Sequence, residues 1–176
     1  GSILSPLLFA LYLQDINEYL NDDDGLKLGG KSFKALLYAD DLALMSDSID
    51  GLQRLLDGLY NFCKIWKLNV NMSKTAVLIC KTSIRSRHEK WKWGEDPIDI
   101  CESYTYLGVR FFSEGVNKQS IKCLVDQAKL GVRGLNVRKY DMGILPVNIE
   151  IKLIETLIKP ILTYCCVAFC FYDYEE

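Results

Sequence analysis

Two carboxylates, Asp40 and Asp41, stand side by side in the middle of the apolar stretch Leu36 to Met45, LLYADDLALM. Held about 4 Å apart, two such charges repel by roughly 4 kcal/mol at an effective dielectric near 20. Burying an ionised carboxylate without a partner costs several kcal/mol more. A divalent cation reverses the sign of the interaction, and Mg²⁺ takes oxygen ligands, typically one or two carboxylates together with substrate phosphates. Metal-assisted phosphoryl chemistry is therefore one reading of the pair. The other is an exposed Asp-Asp turn whose side chains point into water.

The elements that must position the pair can be read from the flanking pattern. Phe33 to Ala39 and Leu42 to Met45 are apolar and strand-length, so they predict a hairpin with Asp40-Asp41 at its tip, held between two buried strands. Two-residue turns favour Asn-Gly, Asp-Gly or a leading Gly because they need positive φ, so turn formation alone does not explain Asp-Asp. Upstream, Leu4, Leu7, Leu8, Leu11, Tyr12 and Ile16 predict a helix over Ile3 to Leu20 with one apolar face, entered at Ser5-Pro6. Asn21 to Gly30, NDDDGLKLGG, reads as an acidic, solvated connector. Downstream, helical spacing from Ile49 through Leu52, Leu55, Leu56, Leu59, Phe62 and Cys63 to Trp66 predicts a second helix, with Asp47 or Ser48 as its N-cap.

Thr75 to Cys80 and Tyr104 to Phe112 read as strands, the latter with Gly108 marking a bulge or a close approach. Lys118 to Tyr140 and Val147 to Tyr172 read as two helices joined at Asp141 to Pro146. Gly131 and Gly134 weaken the first, and Pro160 kinks or interrupts the second. Strands that segregate from a helical tail give an α+β class, with a core over residues 1–114 and a small helical region over 115–176.

Composition sets few further bounds. The 176 residues are 49% hydrophobic and 25% charged, enough for a packed core, and the formal net charge of -2 supplies no global field for nucleic acid. Seven cysteines form no disulfide-like framework, and a single histidine, His88, leaves little for a zinc site; buried free thiols in a reducing, intracellular setting follow. The apolar run Leu157 to Phe171, broken by Lys159 and Pro160, is too short to span a membrane. The chain opens on Gly1-Ser2 rather than Met, which leads to the expectation that its natural N-terminus lies further upstream.

Four segments in order then narrow the reading. Tyr38-Ala39-Asp40-Asp41 between apolar strands resembles the Tyr-x-Asp-Asp box of reverse transcriptases. GSILSPLLF (Gly1 to Phe9) resembles the box and helix that precede that hairpin in the family, and WKLNVNMSKT (Trp66 to Thr75) the segment that follows it. Tyr106-Leu107-Gly108 resembles the later hairpin called the primer grip. With Leu162-Thr163-Tyr164 near the end, the style of all four is most similar to non-LTR, LINE-type retrotransposons.

The resemblance implies a partial right-hand polymerase: the later part of a palm over 1–114, followed by a helical thumb over 115–176. It implies RNA-templated addition of deoxynucleotides to a primer 3′-hydroxyl by two-metal catalysis, with Mg²⁺, or Mn²⁺, as cofactor. The partners are an RNA template, a DNA primer and deoxynucleoside triphosphates, in the nucleus or cytoplasm, with no membrane. Asp40 and Asp41 would be the metal residues, Asp40 as the ligand and Asp41 beside it, shaping the charge of the site and ligating transiently, and Tyr38 and Ala39 would lie near the primer end. Gly1 and Ser2 would face template and nucleotide, or merely cap a helix. Lys74 would assist the triphosphate, or be solvated, and Asn71 would order its loop. Trp66 is read as core.

KTSIRSRHEKWKW (Lys81 to Trp93) carries Lys81, Arg85, Arg87, Lys90 and Lys92 with Trp91 and Trp93 interleaved. That pattern suits a nucleic-acid strand, or equally a charged loop capping two half-buried tryptophans. On the first tail helix, Lys129, Arg133, Arg138 and Lys139 either touch a duplex or form a solvated face.

Departures from the family pattern matter as well. The family needs a third carboxylate from an earlier strand and a set of fingers, both of which would precede Gly1, and an endonuclease belongs to the longer parent. The isolated chain is accordingly expected to be inactive. Cys165 and Phe169 stand where the family has glycine and tryptophan. The alternative reading is a domesticated or degenerate, non-catalytic nucleic-acid-binding module.

Overall fold

The computed structural model describes residues 4–80, 90–114, 118–143 and 145–165. The chain divides into two compact units, one of Gly1–Val77 with Ile84–Cys101, the other of Leu78–Ser83 with Glu102–Glu176. Helices and strands both contribute, so the class is α+β.

In the first unit, α1 (Ser5–Tyr12) starts with Pro6 in its first turn, where a missing N–H costs nothing. It is shorter than the predicted helix and buries none of its residues; Leu4, Leu7, Leu8 and Leu11 are all exposed. The burial expected of that helix is made instead by the 3₁₀ segment Gln14–Tyr19 and its flanks, through Leu13, Ile16 and Leu20. The acidic connector is not the open loop expected. It forms a 3₁₀ turn, Asp22–Asp24, and a short hairpin of β1 (Leu26–Leu28) and β2 (Lys31–Phe33). Asp24 is only 6% exposed and accepts two hydrogen bonds from Arg54, at 2.8 Å from Nε and 2.5 Å from Nη2. That doubly bonded guanidinium holds the Asp24 carboxyl below its usual range.

The next hairpin pairs β3 (Ala35–Tyr38) with β4 (Asp41–Leu44), and α2 (Ile49–Ile65) follows, capped by the Ser48 hydroxyl accepting from Gly51 N at 3.1 Å. One face of α2 supplies Leu55, Leu59, Phe62 and Cys63, which join Leu13, Ile16 and Leu20 as the core of this unit. Ala35, Leu42 and Leu44 from the hairpin pack against it, as does Trp66. Burial pushes the Cys63 thiol up, so it stays a neutral packing group.

β5 (Ala76–Leu78) is hydrogen-bonded to β8 (Asp99–Cys101), and between them in sequence lies the small ribbon of β6 (Lys92–Trp93) and β7 (Asp96–Pro97). The ribbon is fastened to α2 by the Gln53 amide. Gln53 Oε1 accepts from Lys92 N at 2.9 Å and Nε2 donates to Lys92 O at 3.0 Å, as a neighbouring strand would.

In the second unit, β9 (Ser103–Tyr106) and β10 (Val109–Phe112) form a hairpin. The single strand read from the residue pattern over Tyr104 to Phe112 therefore turns back on itself at Leu107-Gly108, where the resemblance implied a hairpin. The hairpin packs on α3 (Lys118–Met142), where buried Ser120 donates to Arg110 O at 2.8 Å. Gly131 is explained by close approach: a Cβ there would lie 2.8 Å from Ile158 Cδ1. Among the described residues the last helical stretch runs as α4 (Val147–Leu153), a π-helical turn (Ile154–Ile158) and α5 (Lys159–Thr163). The wider π turn lies just ahead of Pro160, whose ring and missing N–H are incompatible with a regular α ladder. Among the described residues no helix is long and apolar enough to cross a membrane.

Candidate functional site

The β3–β4 register ends on the pair Tyr38↔Asp41, preceded by Leu37↔Leu42, Leu36↔Ala43 and Ala35↔Leu44. Side chains opposite one another in an antiparallel ladder share a face, and successive pairs alternate. Ala35, Leu37, Leu42 and Leu44 therefore form the inner face, while Leu36, Tyr38, Asp41 and Ala43 form the outer one. The turn is made by Ala39 and Asp40, one residue earlier than the apolar runs suggested. Ala39 has φ +52°, the left-handed conformation that tight hairpin turns require at their first position.

The strands are less enclosed than expected. Leu36, Leu37 and Tyr38 are 47%, 44% and 66% exposed. Among the described residues this sheet has two strands with the core against its inner face alone, which leaves Leu36 and Tyr38 on the outer face uncovered, while Leu37 on the inner face borders an open groove. Beneath the hairpin, Leu37 and Leu42 meet Leu7, Leu11 and Ile16 across an apolar groove of about 420 Å³.

Asp40 and Asp41 are both exposed, and neither carboxylate is hydrogen-bonded or ion-paired to another described residue. Their oxygens are thus available to a cation, and adjacent hard-oxygen donors suit Mg²⁺ or Mn²⁺, which complete their shells with water and phosphate. Among the described residues no group of three or more acidic, histidine or cysteine side chains is placed to enclose a metal ion.

Asn71 and Lys74 share one turn in the same unit. The Asn71 carboxamide oxygen accepts from Ser73 N at 3.1 Å and Ser73 Oγ at 2.7 Å, and its backbone oxygen accepts from Lys74 N at 3.0 Å. It caps the 3₁₀ turn Met72–Lys74, which leaves Lys74 exposed at the turn's end. Trp66 is half-buried, edge-on to Tyr12 with ring centroids 5.0 Å apart, and belongs to the core.

The basic segment divides differently from its sequence pattern. Gly1, Ser2, Arg85 and Arg87 lie outside the described residues, as does Phe169; Lys90 is described and exposed. The interleaved tryptophans are not free stacking platforms. Trp91 is 4% exposed, with Nε1 donating to Ile49 O at 3.2 Å, and Trp93 is half-buried, edge-on to Tyr60 at 5.4 Å. Their indoles anchor the β6–β7 ribbon to α2.

In the second unit Tyr106, Leu107 and Gly108 form the tip of the β9–β10 hairpin, with Tyr106 paired to Val109. Leu107 and Gly108 have φ +48° and +79°. Cys165, where the resemblance led to the expectation of glycine, has φ +54°, a conformation that glycine adopts without strain.

Sequence reasoning missed two residues that shape the first unit, Asp24 and Gln53. An Asp-Asp-Asp run looks solvated, and a lone glutamine on the polar side of an amphipathic helix carries no periodic signal.

The family described as reverse transcriptase (RNA-dependent DNA polymerase) matches residues 1–111. Three relatives from insects align with the chain. A retrovirus-related Pol polyprotein from the type-2 retrotransposable element R2DM of Drosophila melanogaster is 29% identical over 123 residues, covering 65% of this chain and 12% of the relative. A retrovirus-related Pol polyprotein from a type-1 retrotransposable element R2 of Nasonia vitripennis is 38% identical over 124 residues, again 65% of this chain and 12% of the relative. A probable RNA-directed DNA polymerase from transposon BS of Drosophila melanogaster is 38% identical over 86 residues, 43% of this chain and 9% of the relative. The aligned part is thus about a tenth of the length of these curated relatives.

Proposed function

The chain belongs to the reverse transcriptase (RNA-dependent DNA polymerase) family, and on that premise we propose that residues 1–176 are part of the RNA-directed DNA polymerase of a non-LTR retrotransposon. The reaction is addition of deoxynucleotides to a DNA primer 3′-hydroxyl on an RNA template, with release of pyrophosphate. The observation that carries this reading is the tip Tyr38-Ala39-Asp40-Asp41, where two exposed acids without a partner among the described residues crown a hairpin inside the span the family matches.

In this reading residues 1–114 are the later palm and 115–176 the thumb, within an intracellular protein that also carries fingers, the first palm strand and an endonuclease. Asp40 holds Mg²⁺, or Mn²⁺, and Asp41, on the outer face beside Tyr38, adds negative charge that draws the cation in. When bound, the metal supplies Lewis-acid stabilisation of the attacking and leaving oxygens. Tyr38 and Ala39 lie against the primer terminus, where the tight turn keeps bulk away. Lys74, presented by the turn that Asn71 caps, neutralises charge on the triphosphate. Gly1 and Ser2 face the nucleotide and template, the Tyr106-Leu107-Gly108 turn meets the primer strand, and Arg85, Arg87 and Lys90 contact phosphates. Among the described residues only these two acids stand at the tip, too few for a two-metal centre, and in this reading residues 1–176 alone are inactive.

RNA-templated primer extension by the complete polymerase in Mg²⁺ tests the reading. Deoxynucleotide incorporation that requires the RNA template supports it. Absence of incorporation under conditions where a control reverse transcriptase extends the same primer overturns it.

A further inference from the structure

The hairpin turn at Leu107-Gly108 has two successive residues in the left-handed region, the geometry of a two-residue turn in which asparagine and glycine are favoured. Glycine meets that requirement at the second position. Leucine at the first does not, since a branched side chain rarely adopts positive φ unless its surroundings impose it. The surroundings come from the far end of the same unit. Tyr164, immediately after α5, donates its phenolic hydrogen to Leu107 O at 2.5 Å, across 57 residues of sequence. Its ring lies over Gly108, where an added Cβ would stand 3.5 Å from Tyr164 Cε1. The carbonyl that Tyr164 holds belongs to the turn's non-glycine residue at positive φ.

We propose that Tyr164 is a positioning residue that braces the Leu107-Gly108 turn from the end of α5, so that the turn meets the primer strand in one fixed geometry. The ring limits how far the turn can fold back, and the phenol fixes the direction of the Leu107 peptide. Ser120, bonded to Arg110 O, ties the base of the same hairpin to α3. The hairpin is thereby held at its tip by the residue that follows α5 and at its base by α3. The proposal rests on the polymerase reading for the identity of the strand that the turn meets; the brace itself stands on the geometry alone.

The test uses the complete polymerase carrying Tyr164→Phe, which keeps the ring and loses only the donor. Loss of one neutral hydrogen bond changes an equilibrium by about threefold to tenfold. Hydrogen exchange at the amides of Leu107, Gly108 and Val109 is expected to quicken by that factor. The KM for primer–template is expected to rise by a similar factor, while the nucleotide KM stays unchanged. Tyr164→Leu, which also removes the ring, enlarges both effects. Unchanged exchange at the turn overturns the brace. Faster exchange with an unchanged primer–template KM overturns the positioning role, and a lowered thermal midpoint with both KM values altered reduces Tyr164 to a general packing residue. Because exchange is read without turnover, an inactive wild-type enzyme would fail the polymerase reading and leave the brace to be judged by exchange.

Discussion

Tyr38 and Asp41 close the β3–β4 ladder as its last register pair, so Ala39 and Asp40 alone make the turn. The chain reverses directly beneath the two carboxylates, and their separation is set by a turn whose first residue has φ +52°. Rigidity of the acid pair therefore depends on a residue with no chemistry of its own.

Ala39→Val puts a β-branched side chain where positive φ is required, and the expected loss is about 1–3 kcal/mol. Ala39→Gly removes the strain and is expected to leave stability equal or slightly higher. Denaturant unfolding of the two variants against wild type checks the order; a Val variant as stable as the Gly variant would show that the turn is not held in this conformation.

Asp24 gives stability a pH dependence. Its hydrogen bonds from Arg54 depress the folded-state pKa, so its contribution is complete above the unfolded value, near 4, and is lost as pH falls through the lower folded value. Asp24→Asn cannot be ionised. It is expected to be less stable than wild type at pH 7, with the gap narrowing on acidification below about pH 4. Unfolding midpoints at pH 7 and pH 3 decide the matter, and a gap that stays constant would remove the ion pair as its cause.

Cys165→Gly restores the residue type that the backbone conformation favours. With φ at +54° the cysteine is strained, and relief is expected to raise stability by about 0.5–1 kcal/mol. Thermal unfolding of the variant reads the change, and a lower midpoint would show that the thiol makes a compensating contribution.

How much of this was legible in the sequence depended on whether a physical constraint left a periodic trace. The helix Ile49–Ile65 was legible because its apolar face persists through several turns, and the Ser48 cap was one of the two expected. The β3–β4 hairpin was legible as two apolar runs but displaced by one residue, because no glycine marks the reversal at Ala39. For the same reason the residue pattern made Tyr104 to Phe112 one strand, since Leu107 carries no turn signal beside Gly108, and only the family resemblance of Tyr106-Leu107-Gly108 pointed to the hairpin. The burial of Asp24 left no trace, since the partner that permits it lies 30 residues away on the polar side of a helix. The Trp91–Trp93 segment misled in the opposite sense. Basic and aromatic residues alternate there as on a nucleic-acid surface, but the indoles face α2.

The most direct measurement is single-turnover nucleotide incorporation by the complete polymerase and its Asp40→Asn variant across a Mg²⁺ titration. Asparagine keeps the shape and one oxygen but lacks the charge that holds a divalent cation. The expected result is a rate lowered by roughly a hundredfold or more, with a higher Mg²⁺ requirement. Equal rates with the same Mg²⁺ dependence would contradict a metal-binding role for Asp40.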